Sequence, residues 1–180
     1  MAGPLYALVG HLTGRRRTEE EWKRVVDCFQ SLADTLDECS VTLALEPLNR
    51  FETFFLTTTA ESMQLCDAIA HPRIGLLLDT FHLNIEEKNV PASFTSAAKW
   101  LRHVHISEND RGIPGTGHTD FPGIVRTLRE IGYEGSLVIE SFGYHVPELA
   151  AATAIWRDLA PLPEAIAFEG VRYLKSLVGK

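Results

Sequence analysis

From Thr18 the chain reads TEEEWKRVVDCFQSLADTLDEC, with Trp22, Val25, Val26, Phe29 and Leu32 at helical spacing. Thr18 with Glu21 three residues later forms a capping-box pattern, in which each side chain can accept a backbone N–H left unpaired in the first turn. One amphipathic helix is therefore predicted from here. The pattern then changes to VTLALEPL (41–48), a short and nearly continuous apolar run with β-branched residues, as expected of a strand buried on both faces. A second Thr–Glu capping pair, Thr58 and Glu61, predicts a helix to about Ala70. IGLLLDTFH (74–82) repeats the buried-strand pattern and stops at a charged residue. A helix is expected over Ala92–Leu101, followed by HVHISEND (103–110), a glycine-rich PGTGHTD loop, a helix over Pro122–Ile131 ended by Gly132, and a strand in SLVIESF (136–142). Helices are predicted at Pro147–Ala154 and Pro163–Val178, with a further strand allowed at Ile155–Trp156.

Short apolar strands alternating with longer helices indicate repeated βα units around a parallel sheet. Such a sheet is either doubly wound or closed into a barrel. No G-x-G-x-x-G follows the first clear strand and no G-x-x-x-x-G-K-[ST] occurs, so the usual phosphate-loop reasons for a doubly wound sheet are missing and a barrel is favoured.

The chain has 180 residues, 45% of them hydrophobic, which suits a single domain over residues 1–180 with one core. Its net charge of −7, with basic residues scattered, argues against nucleic-acid and anionic-membrane partners and for a small molecule. No run approaches the roughly 20 apolar residues of a membrane helix, and MAGPLYALVG lacks signal-peptide character; a cytoplasmic protein is expected. Cys28, Cys39 and Cys66 have no metal-type spacing and read as reduced thiols.

Each of the four strand-like runs ends in an ionisable residue: Glu46, Asp79, His105 and Glu140. In a parallel barrel the carboxyl ends of the strands converge on one mouth. Three carboxylates and an imidazole gathered there repel one another unless a cation joins them, and this oxygen-rich set suits Mn²⁺ or Mg²⁺, with Co²⁺ or Zn²⁺ as alternatives, rather than a closed structural zinc site. Taken singly, each residue is better read as a helix cap or loop hydrogen-bonder; four in register change that balance. Glu52, His82 and Arg111 lie in the loops that follow and could meet a polyhydroxylated ligand, the bland alternative being a surface salt bridge between Glu52 and Arg111. His103 is read as facing the packed helices, away from His105, and His118 is left open.

The segments EPLNRFE (46–52), LDTFHLNIEE (78–87), HVHISENDRGIPGTG (103–117) and VIESF (138–142) together resemble the D-tagatose 3-epimerase and D-psicose (allulose) 3-epimerase family, within the xylose isomerase-like barrel superfamily. The resemblance runs from about Gly3 to the end. It implies a (β/α)₈ barrel and one divalent metal ion, Mn²⁺ first with Co²⁺ or Mg²⁺ as alternatives. The implied reaction is inversion at C3 of free ketohexoses, D-fructose with D-psicose and D-tagatose with D-sorbose. Carried over residue by residue, Glu46, Asp79, His105 and Glu140 are the metal ligands, Glu46 and Glu140 the acid/base pair, and Glu52, His82 and Arg111 the substrate contacts. A complete barrel of this type takes about 250 residues. This chain is therefore expected to be an N-terminally truncated barrel of about the last five βα units, with apolar edges uncovered and homo-oligomerisation open. The competing readings are another isomerase of the superfamily (hydroxypyruvate or inosose type), an endonuclease IV-type enzyme, which the acidic charge disfavours, and a catalytically silent fragment.

Overall fold

The computed structural model describes residues 1–179. Five strands, β1 (Ala2–Gly3), β2 (Leu43–Leu45), β3 (Ile74–Asp79), β4 (Leu101–Ile106) and β5 (Leu137–Ile139), form one sheet in the order β1-β2-β3-β4-β5, and every pair is parallel. A doubly wound sheet reverses its strand order at a switch point; a barrel wall does not. The unreversed order is therefore that of part of a barrel, with β1 and β5 as its two edges among the described residues. Between the strands run α1 (Glu19–Ser31), α2 (Ala33–Glu38), α3 (Thr59–Ile69), α4 (Thr80–Glu86), α5 (Val90–Ala97) and α6 (Phe121–Glu130); α7 (Pro147–Ala152) and α8 (Pro163–Val178) follow β5.

The core lies between the central strands and the helices outside them. Leu45, Leu65, Ile74, Leu76, Leu78, Phe94, Val104, Phe121 and Ile124 are all buried in one cluster. This explains why 74–79 carries no polar position until its last residue: β3 has a neighbour on each side and side chains packed on both faces. Gly75 is required in β3 because a Cβ there would run into the carbonyl of Trp100 and the side chain of Arg102.

Several expectations need correction. The predicted first helix is two, because at Leu32 the backbone N–H turns to the carbonyl of Phe29 and the axis breaks, setting Leu36 into the core. The Thr18–Glu21 capping box is complete. At α3 only half of one forms: Thr58 accepts from Glu61 N–H, while the Glu61 carboxylate is drawn to Arg17 at 2.8 Å and to Thr57 N–H at 3.3 Å. The segment after β3 does not remain a loop but turns at once into α4, with Asp79 as its N-cap. Ile155–Trp156 forms no strand. Among the described residues no helix is long and apolar enough to cross a membrane.

The two edges match the expected apolar exposure. Leu8 beyond β1, and Phe168 and Val171 on α8, are exposed, and an apolar groove of about 660 Å³ runs between β5 and α8 on the outside of the wall.

Candidate metal centre and active site

Glu46 directly follows β2, Asp79 ends β3, His105 is the penultimate residue of β4 and Glu140 directly follows β5. Parallel strands in register deliver these positions to one level; Asp79 and His105 are direct partners across β3 and β4. One ligand atom from each of the four lies within 4.8 Å of the other three. Nδ1 of His105 is 3.9 Å from Glu46 Oε1, 3.9 Å from Asp79 Oδ2 and 3.4 Å from Glu140 Oε1. Donors bonded to one cation at about 2.1 Å sit roughly 3 to 4 Å apart, so this spacing is that of atoms sharing an ion rather than a proton. Glu46 Oε1 and His105 Nδ1 are also buried without a hydrogen-bond partner among the described residues. Buried polar atoms are otherwise paired in folded proteins, so these two orphans, aimed into a ring of carboxylates, fit a divalent cation.

The electrostatics agree. Burial, reinforced by the charges of Asp79 and Glu140, pushes the Glu46 carboxyl up to about 9. Asp79 is likewise raised by burial, with the Arg111 guanidinium pulling the other way. For Glu140 burial would raise the carboxyl, but His105 and Arg111 beside it outweigh burial and hold it below the usual carboxylate range. Crowded carboxylates with divided protonation mark a site short of positive charge.

Asp79 splits its two oxygens between structure and site. Oδ1 caps α4 through Phe81 N–H at 2.8 Å, while Oδ2 accepts from Arg111 Nη1 at 2.7 Å. Arg111 is not in a surface pair with Glu52. It is buried, with Nη1 also 2.6 Å from Glu140 Oε2 and 2.9 Å from Ser107 Oγ, and its guanidinium lies over the ring of Phe81, 4.1 Å from the centroid. Its backbone adopts a left-handed φ of +67°, held by a bond from its N–H to Glu108 and one to its carbonyl from the Ser141 hydroxyl. His82, on α4, is buried, and burial drives its imidazole down to about 3, so it is neutral. Glu52 stands beside it, Oε1 4.0 Å from His82 Nδ1. Glu46, Glu52, His82, Arg111 and Glu140 form the polar side of a cavity of about 140 Å³, with Leu48, Phe81 and Phe142 as apolar walls. The larger groove outside β5 is mostly apolar, with Ser141 and Lys175 among its lining residues, and holds none of the seven candidate residues.

All seven residues singled out from the sequence are thus brought together. His103 is a correction: residues two apart on a strand share a face, and its ring lies 5.1 Å from that of His105, on the same side of the wall and not among the helices. His118 is exposed and outside the cavity.

Several supporting residues escaped the sequence reading. Thr80 binds both the N–H and the carbonyl of Ser107 at 2.7 Å, tying β3 to β4, and Ser107 Oγ donates to the carbonyl of Glu140 at 3.0 Å, tying β4 to β5. Glu108 is fully buried and accepts from the N–H groups of Asn109, Gly115 and Thr119, which folds the glycine-rich loop around it. Gly117 is needed there because a Cβ would come within 2.7 Å of that carboxylate. Asn49 holds both His82 and Glu52. The available signal was that all of them fall inside the short motifs carrying the site residues.

The pattern of the xylose isomerase-like TIM barrel family matches residues 2–177. A probable ketose 3-epimerase from Synechocystis sp. is 38% identical over 175 residues, 97% of this chain and 61% of that protein. An L-ribulose 3-epimerase from Mesorhizobium japonicum is 40% identical over 144 residues, 79% of this chain and 48% of that protein. The crystal structure of D-allulose 3-epimerase from Methylomonas sp. in complex with D-allulose superposes with a TM-score of 0.90 at 32% identity, over 97% of this chain and 61% of that one. The chain thus spans about 60% of the length of these longer matches.

Proposed function

Because the chain belongs to the xylose isomerase-like TIM barrel family, we propose that it acts as a metal-dependent ketose 3-epimerase on free ketohexoses, interconverting D-fructose with D-psicose and D-tagatose with D-sorbose. The observation that carries the reading is the convergence of Glu46, Asp79, His105 and Glu140 from four successive strand ends, with two buried donor atoms lacking any other partner. The names of the relatives support the sugar class: the Methylomonas structure holds D-allulose, and a D-psicose 3-epimerase from Clostridium cellulolyticum was crystallised with D-tagatose.

In this reading Glu46, Asp79, His105 and Glu140 hold one divalent ion, Mn²⁺ for preference. When bound, the ion supplies Lewis-acid polarisation of the ketone and stabilises the negative charge that develops when the adjacent carbon loses its proton. Glu46 and Glu140 come from β2 and β5, the outermost of the four donor-bearing strands. A sugar seated between them presents one face of C3 to each. One carboxylate removes the C3 proton; the other, protonated, delivers its proton to the opposite face, which inverts C3 and leaves the pair ready for the reverse reaction. Arg111 and His82 face the cavity, where they bind the oxygens that gain charge, and Glu52 accepts from a sugar hydroxyl. Phe81 and Phe142 close the walls and keep water from the reacting carbon.

The test is conversion of D-fructose to D-psicose and of D-tagatose to D-sorbose by the purified chain with Mn²⁺, beside the Glu140→Gln variant. Conversion by the wild type that disappears in the variant is the expected result. No conversion by a folded, metal-bound chain would reject the proposal for these 180 residues.

A further inference from the structure

Asn49 lies directly behind His82, and the direction of every bond it makes is fixed. Its side-chain oxygen accepts from the N–H of Phe51 at 2.9 Å, so the amide nitrogen must face the other way, toward Glu52 Oε1 at 2.7 Å and His82 Nδ1 at 3.0 Å. The backbone N–H of Asn49 also points at His82 Nδ1, at 3.1 Å, and a backbone N–H can only donate. Nδ1 therefore faces two donors and must present its lone pair. Asn49 and His82 are both buried, 2% and 3% exposed, so no solvent competes for this contact.

We infer that Asn49 is a positioning residue that locks His82 as the Nε2–H tautomer, turning it into an obligate hydrogen-bond donor to a ketose oxygen and barring it from acting as the base. The inference rests on the ketose reading above and deepens it. On the cavity side, His82 Nε2 is 3.4 Å from Arg111 Nη2. Two N–H donors cannot bond each other, so the pair calls for one shared acceptor, and an oxygen gaining negative charge is the acceptor such a pair favours. Proton removal is thereby left to the carboxylates. An imidazole with a free Nε2 lone pair beside the reacting carbon would compete for the proton; the Asn49 lock removes that route.

The test begins with the nitrogen spectrum of the ¹⁵N-histidine-labelled chain loaded with diamagnetic Mg²⁺, the His82 signals being identified by their loss in His82→Gln. The expected pattern is a protonated Nε2 and a bare, hydrogen-bonded Nδ1; a proton on Nδ1 would overturn the inference. Asn49→Asp keeps an oxygen for the Phe51 N–H but sets an acceptor against Nδ1. The backbone N–H of residue 49 still donates to Nδ1, so in this variant part of the His82 population is expected to carry its proton at Nδ1, with kcat for D-psicose reduced in proportion to that share and KM changed much less. An unchanged His82 spectrum or an unchanged kcat in a folded Asn49→Asp variant would contradict the lock or the donor role respectively. Should the wild type show no turnover of any ketose, the proposed function fails, while the wild-type spectrum still decides the tautomer.

Discussion

Strands β3 and β5 each deliver a carboxylate to the same centre from opposite circumstances. β3 is paired on both sides, every one of its six residues is buried, and Asp79 at its end is 0% exposed. β5 is three residues long, is paired only to β4 among the described residues, and Val138 within it is 38% exposed. Asp79 is placed by the packing of β3 and by its bonds to Phe81 N–H and Arg111, whereas Glu140 lacks the packing and relies on polar tethers: Ser107 holds its carbonyl and Arg111 its carboxylate. The comparison teaches that the centre is preorganised on its core side and adjustable on its edge side, where binding an ion has most to add.

The largest contrast should come from the carboxylates themselves. Asp79→Ala removes a partner of a buried arginine and the cap of α4, and should cost about 3–5 kcal/mol of unfolding free energy in urea titrations. Glu140→Ala should cost about 1 kcal/mol, because its side chain is partly solvated. Equal costs would break the comparison. Next come the strand bodies: Leu78→Ala should lose about 2–5 kcal/mol, while Val138→Ala should stay within about 1 kcal/mol.

Saturating Mn²⁺ at a hundred times its Kd should add about 2.7 kcal/mol. Hydrogen exchange should locate the gain, with the amides of 137–142 slowing more than those of 74–79; uniform slowing would contradict an adjustable edge. Glu108, outside the four-residue cluster, should respond to pH as well as to substitution. Burial alone would raise its carboxyl, but bonds from Thr119 and from the N–H groups of Asn109 and Gly115 outweigh burial and hold it below the ordinary range. Its contribution is therefore present above the unfolded value near 4.3 and is lost as pH falls through the lower folded value. Glu108→Gln should cost about 1–3 kcal/mol at pH 7, with a deficit that closes in acid.

Much of this was legible in the chain. Apolar runs that end in a charged residue reveal β2 and β3 and the ends that meet in the cluster, because a strand buried on both faces offers a charge no solvent along its body; β4, with Arg102 and His103 inside it, departs from that pattern. The parallel sheet followed from the alternation of elements, while the choice of a barrel over a doubly wound sheet rested on the missing phosphate-loop motifs. The break at Leu32 was not legible, since the apolar spacing continues through it and only the docking of Leu36 shows the change of axis. The capping role of Asp79 was read as an alternative to a place in the cluster, whereas the structure gives it both, through Oδ1 and Oδ2. At the site, charged residues announced themselves, whereas Asn49, Thr80, Ser107 and Glu108 act through bonds whose partners lie up to 33 residues away or on the backbone. His103 failed through a miscounted strand face.

The central claim is that four strand ends on this one chain make a single cation site. Calorimetric titration of the purified chain with Mn²⁺, repeated on Asp79→Asn, tests it most directly. The account predicts one ion per chain for the wild type and loss of that binding in the variant. Absence of binding to the folded wild type, or a titration left unchanged by Asp79→Asn, would contradict it.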